Sequence, residues 1–160
     1  MSRKLDLIAA GHICLDIIPA VPDTGSDRIE EILQPGKLIN TGACAISTGG
    51  PVSNTGIAAK VLGSQVAFMA RVGDDFYGRL VRELMAKHGS TEGIQVAEGV
   101  PTSYTIVLAP PGIDRIFLHC PSTNDQFTSR DVDFDLVGRA RLFHLGYPPL
   151  MKALYENEGA

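Results

Sequence analysis

An α/β core with an appended small sheet is the fold class this sequence predicts, and three observations carry it. Residues 5–10 (LDLIAA), 65–72 (QVAFMARV) and 141–147 (RLFHLGY) are short apolar runs of the kind that form buried parallel strands. Stretches of helical character lie between the first two runs and after the second. Residues 102–120 break that rhythm: a β-rich run, a Pro-Pro-Gly turn and a second β-rich run read as a hairpin.

Composition narrows the class. The chain has 160 residues, 44% hydrophobic and 20% charged, the balance of a globular domain with a real core. Its net charge is −4 with both signs interspersed, which does not suit nucleic-acid binding. No apolar run approaches the roughly 20 residues of a membrane span. The N-terminus lacks a signal peptide's apolar region and cleavage site, so the expected location is cytoplasmic. Cys14, Cys44 and Cys120 are odd in number and irregularly spaced. That argues against a disulfide framework or a Cys-x-x-Cys zinc site, and predicts buried structural thiols.

Taken in order, residues 5–10 form a first strand ending at Gly11. The next segment, GHICLDII, is apolar except for His12 and Asp16. Asp16 reads either as a turn or capping aspartate or as a carboxylate that accepts bonds from ligand hydroxyls, because burying an unpaired charge is costly. Residues 19–35 read as a connection, and 36–48 supply a strand before Gly49-Gly50. That glycine pair opens a small-residue helix, with Ser53 as the expected N-cap and Gly63 as the left-handed stop. Alone it is either a phosphate cradle, where backbone N–H groups approach an anion, or a tight turn into a packing helix. Asp74-Asp75 opens a second helix that ends near Lys87, His88 and Gly89, charges that complement the macrodipole. Its apolar side is expected from Tyr77, Leu80, Leu84 and Lys87, widened by Val81 and Met85.

Residues 93–96 read as a strand before the hairpin, in which His119 is a half-buried sheet residue. Residues 121–127 are a turn. Asp131, Asp133 and Asp135 invite a calcium reading, but neither the glycine nor the distal glutamate of an EF-hand loop is present, so a solvated helix start is expected. A last strand leads to Gly146, and residues 150–160 begin a helix. An unpaired closing unit of this kind suggests the first part of a longer protein.

Together, Asp16, Gly49-Gly50, Asn54, Gly63 and VGDDFYG at 72–78 resemble the PfkB, or ribokinase-like, family of carbohydrate and nucleoside kinases. Gly50, Asn54, Gly63 and Gly73 stand at the spacings of that family's N-terminal signature, while Val52 and Gly56 depart from its strictest form. The resemblance implies a Rossmann-like three-layer core, incomplete here, with a small β-sheet lid drawn from residues around 13–48 and 94–120. It implies ATP-dependent, magnesium-assisted transfer of a γ-phosphoryl group to a sugar or nucleoside hydroxyl. By position, Asp16 would accept bonds from substrate hydroxyls, Gly49 and Gly50 would admit the sugar to the backbone, and Asn54 would bond its edge. The lid of this family often forms dimer contacts.

The family's Asp-Thr-x-Gly-Ala-Gly-Asp motif, which carries the anion hole and catalytic base, matches nothing in this chain. The expectation is therefore a substrate-binding portion without a catalytic residue or nucleotide site, and inert by itself. A non-catalytic sugar-binding or regulatory module is the competing reading. A nicotinamide oxidoreductase is a weak third reading, since no G-x-G-x-x-G follows the first strand and Gly11 is followed by HICLD.

Overall fold

The computed structural model describes residues 5–156, which build two four-stranded sheets. The first comprises Leu5–Gly11 (β1), Val66–Gly73 (β4), Ser90–Ala97 (β5) and Ala140–Gly146 (β8). It is parallel, in the order β5-β4-β1-β8. The second comprises Cys14–Pro19 (β2), Cys44–Gly49 (β3), Tyr104–Leu108 (β6) and Ile116–Cys120 (β7), in the order β3-β2-β6-β7. Its central pair is parallel and its two outer pairs are antiparallel. The helices are Ile29–Ile32 (α1), Gly50–Val61 (α2), Phe76–Ala86 (α3), Phe134–Gly138 (α4) and Ala153–Glu156 (α5).

Side chains on successive strand residues point to opposite faces, and in β1 and β4 both sets are apolar except for Asp6 and Arg71. Ala9, Phe68, Ala70 and Val72 pack with Val52 of α2 and with Val81 and Met85 of α3. Ile8, Ala10, Ala67 and Met69 pack on the other face with Leu136 of α4. The central strands β1 and β4 are thus covered on both faces, as in the three-layer core expected, while the edge strand β8 leaves Leu142, Phe143 and Leu145 exposed. Residues 94–97, assigned above to the small sheet, instead belong to the edge strand β5, paired in parallel with β4.

The helices carry their own punctuation. Gly49 is the N-cap of α2, not Ser53, whose hydroxyl faces back to the Thr48 carbonyl at 3.1 Å and the Thr48 hydroxyl at 2.7 Å. At the far end Gly63 lies at φ +96°, donating to the Lys60 carbonyl, while Ser64 donates to Ala59. These two bonds make a Schellman stop where the sequence predicted one. Helix α3 buries Gly78, Val81 and Met85, with Leu80 and Leu84 on the flanks and Lys87 exposed, so its inward face is centred one residue on from the expected one.

Asp75 caps α3, its Oδ1 accepting from the Gly78 N–H at 2.8 Å. The same carboxylate accepts from the Thr102 N–H at 2.9 Å and the Thr102 hydroxyl at 2.6 Å. It thereby ties α3 to the segment entering β6. Burial works against its charged form, but the Thr102 and Gly78 hydrogen bonds outweigh this and hold its pKa below the ordinary 3.8. A depressed carboxyl stabilises the fold above its unfolded pKa and loses that contribution as pH falls through its folded one. Asp75→Asn keeps a capping side chain but turns the charge-assisted bonds from Thr102 into neutral ones, and is therefore expected to cost about 1 kcal/mol at neutral pH. It should also flatten stability against pH below about pH 4, read by urea midpoints across that range.

The passage from β1 to β2 changes sheets within two residues, His12 and Ile13. Asn124, 1% exposed in a 3-10 turn (Ser122–Gln126), grips this passage. Its Oδ1 accepts from the Ile13 N–H at 3.1 Å and its Nδ2 donates to the Ile13 carbonyl at 2.9 Å. Buried Ser103 and Thr123 bond to each other beside it. Asn124→Ala would strand both Ile13 groups, and a loss of about 2 kcal/mol is expected in a urea titration.

The three aspartates do not form a unit. Asp131 is buried, bonded to Thr128 and paired with Arg71 Nη1 at 2.6 Å, whereas Asp133 caps α4 through the Leu136 N–H. The expected solvated helix start thus holds for Asp133 and Asp135 but not for Asp131. Of the thiols, Cys14 is buried, Cys120 half-buried and Cys44, at the start of the outer strand β3, exposed, so the expectation of buried cysteines holds at Cys14 alone. No helix among the described residues is long and apolar enough to cross a membrane.

Candidate functional site

In the parallel sheet β1 has β4 on one side and β8 on the other, so the winding reverses between β1 and β8. Ligands of such sheets bind beyond the carboxyl ends of the strands at this switch point. Those ends are Gly11 and Gly146, which are register partners, and the residues that follow them are His12 and Tyr147. Both line a cavity of about 530 Å³. The second sheet contributes Cys14, Asp16, Thr105, Phe117 and His119, the β6–β7 connection contributes Arg115, and α2 contributes Gly50 and Asn54. Another cavity, of about 450 Å³, opens at the opposite end of β1 around Asp6 and Arg141. These two form an exposed ion pair and no further convergent groups.

The structure brings three of the four expected site residues, Asp16, Gly50 and Asn54, to the cavity wall, with Gly49 directly behind. It also gives the glycines a reason different from the one expected. A Cβ on Gly49 would lie 2.3–2.6 Å from the Asp16 carboxylate. One on Gly50, at φ +84°, would lie 2.5 Å from His12 Nδ1 and 2.6 Å from the His12 carbonyl oxygen. The pair makes room for two cavity side chains before it makes room for any ligand. Nor is the helix start a phosphate cradle, because Pro51 has no N–H and the Val52 N–H donates to the His12 carbonyl.

Asp16 sits on β2 opposite Ser47 of β3 and beside Thr105 of β6. Burial raises its pKa, and a hydrogen bond from the Cys14 thiol, 3.2 Å from Oδ1, acts in the other direction. A thiol is a weak donor. The carboxylate therefore keeps acceptor capacity directed at the cavity, which suits ligand hydroxyls.

Behind it runs a chain of polar contacts that the sequence did not disclose. The Thr105 hydroxyl lies 3.4 Å from Cys14 Sγ and 2.9 Å from His119 Nδ1. His119 Nε2 faces His12 Nε2 at 3.4 Å. Burial, reinforced by His119, lowers the His12 pKa to about 4, while burial pushes the Cys14 thiol up to about 12. Both are thus uncharged at neutral pH. His119 is more exposed than expected and is a cavity residue, not merely a sheet residue. Tyr147 holds a left-handed backbone at φ +58° and sets its ring 5.9 Å from His12. A non-glycine residue in that region at a cavity is the kind of strain functional sites retain. The signal for His12 and Tyr147 was positional, each following a glycine at the carboxyl end of an apolar strand.

The fold that frames this cavity is shared with solved sugar kinases. Ribokinase from Giardia lamblia superposes with a TM-score of 0.72 at 22% identity, over 88% of this chain and 44% of that one. A sugar kinase from Pyrococcus horikoshii, solved in complex with ATP, gives 0.67 at 22% identity, over 86% and 41%. In sequence, fructokinase-2 of Oryza sativa is 26% identical over 143 residues, 88% of this chain and 39% of that protein. The fold is that of the ribokinase-like kinases. Residues 5–157 match the pfkB family carbohydrate kinases, and the chain belongs to that family. It spans about two-fifths of the length of the curated relatives it matches.

Proposed function

We propose that this chain forms the sugar-binding wall of an ATP-dependent carbohydrate kinase, with the second sheet as a lid over the substrate. The observation that carries the reading is Asp16, a half-buried carboxylate with spare acceptor capacity, held at a switch-point cavity by the two strands of its sheet and by the space at Gly49. Its oxygens would take hydroxyl donors of a sugar or the ribose of a nucleoside. Asn54 would bond the ligand's edge, and Phe117, Tyr147 and Leu150 would cover its C–H face. In this reading Asp16 fixes which hydroxyl is presented for phosphorylation.

ATP and Mg²⁺ do not fit the described residues of this cavity. Arg115 is the one permanent cation on its wall, and of the first N–H groups of α2 Pro51 has none and that of Val52 is spent on the His12 carbonyl. The γ-phosphoryl donor and its metal would be held by other parts of a full-length kinase, and the 160 residues alone would transfer no phosphate. A thermal-shift panel of fructose, ribose and adenosine tests the binding role. A ligand at 100 times its Kd raises stability by about 2.7 kcal/mol, or roughly 6–10 °C in Tm for a chain of this size. No shift with any sugar or nucleoside would overturn the reading. ATP-dependent phosphorylation of a sugar by the isolated chain would overturn its inert status.

A further inference from the structure

We propose that His12, Cys14 and His119 form a three-ligand site for Zn²⁺, and that its occupation closes the cavity to the sugar. The second half of this statement rests on the function proposed above; the first does not. One ligand atom from each residue lies within 4.8 Å of the other two. Two nitrogens on one tetrahedral zinc, each at about 2.05 Å, lie about 3.3 Å apart. The two Nε2 atoms already stand 3.4 Å apart, so this edge of the tetrahedron is preformed. The sulfur edge is the one that closes on binding.

The second shell orients two of the three ligands. Metal-bound imidazoles donate their other N–H to an oriented acceptor. Here the Thr105 hydroxyl would accept from His119 Nδ1–H and donate to Cys14 Sγ, so a single side chain orients two ligands. His12 would carry its proton on Nδ1, which has no hydrogen-bond partner among the described residues, and leave Nε2 free for the metal. Binding releases the thiol proton to solvent. The resulting Zn²⁺, thiolate and two neutral imidazoles carry one net positive charge beside Asp16, whose Oδ1 is 3.2 Å from Sγ. The metal would draw that carboxylate away from ligand hydroxyls. Two imidazoles and a thiolate favour a borderline cation such as zinc over Mg²⁺ or Ca²⁺, which take oxygen donors. The site also joins β7 to the β1–β2 passage, clasping the second sheet against the carboxyl end of the first.

The test is a Co²⁺ titration of the intact protein followed by absorption spectroscopy. Tetrahedral d–d bands and a thiolate-to-cobalt charge-transfer band are expected, both erased by one equivalent of Zn²⁺. Cys14→Ser should lose the charge-transfer band. His119→Ala, on an exposed strand position that carries little folding risk, should weaken Zn²⁺ binding at least tenfold. No charge-transfer band, or unchanged Zn²⁺ affinity in both variants, overturns the site. In a second arm the sugar that binds the metal-free protein is titrated into the Zn²⁺-loaded protein. Its heat should vanish and return with a chelator, and unchanged affinity overturns the exclusion. Should no sugar or nucleoside bind even without metal, the closure fails with the function it rests on, while the cobalt spectrum still decides the site.

Discussion

Asp16→Asn is expected to weaken sugar binding by roughly 100-fold while leaving the protein at least as stable as before. The substitution keeps the shape and an acceptor for the Cys14 thiol, so packing against Gly49 is preserved. It removes the charge that makes bonds to ligand hydroxyls strong, and two charge-assisted bonds reduced to neutral ones amount to about 3 kcal/mol. Stability moves the other way because burial disfavours the charged carboxyl in the free protein. Isothermal titration and thermal melting on the same two proteins separate the effects. Unchanged affinity would remove Asp16 from the binding wall, and a large fall in Tm would make it a structural residue instead.

Gly50→Ala should be the most destabilising single methyl in the site, at about 3–5 kcal/mol. The backbone there has φ +84°, which costs an L side chain about 1–2 kcal/mol. The added Cβ would also meet the His12 carbonyl oxygen at 2.6 Å, and that backbone is fixed by the Val52 N–H and the sheet. Gly63→Ala is the control. Its φ is +96°, but no other atom lies within 4 Å, so only the conformational part of the cost remains. Urea unfolding of both variants should show a gap of about 2 kcal/mol or more between them. Equal losses would mean that the His12 passage yields to accommodate the methyl.

What could be read from the sequence was whatever is written locally. The apolar runs became β1, β4 and β8, Asp75 and Gly63 became helix ends, and the alternation at 102–120 became the β6–β7 hairpin. Asp16 stood out because a carboxylate in an apolar segment needs a reason. What could not be read depends on partners distant in sequence. A short run such as 93–96 shows strand character but not which sheet takes it, so β5 was placed with the wrong neighbours. The acidic alternation around Asp131 looked solvated because Arg71, its partner, lies on β4. His12, Thr105 and His119 come from a loop and two strands, and no spacing links them. Family resemblance singled out Gly49 and Gly50 for a ligand, but the space they provide is occupied first by Asp16 and His12.

The place of β1 between β4 and β8 sets a timetable as well as a crevice. Its first neighbour is synthesised early, and its second only near residue 140. Pairing across so long a stretch of chain is entropically slow. A chain that folds as it is made would hold β1 with one flank bare, paired to β4 alone, until β8 arrives. Tyr147 and Leu150 complete the cavity wall only once β8 has paired with β1, so that wall is the last part of the sheet edge to be assembled and the first to open if that strand peels away.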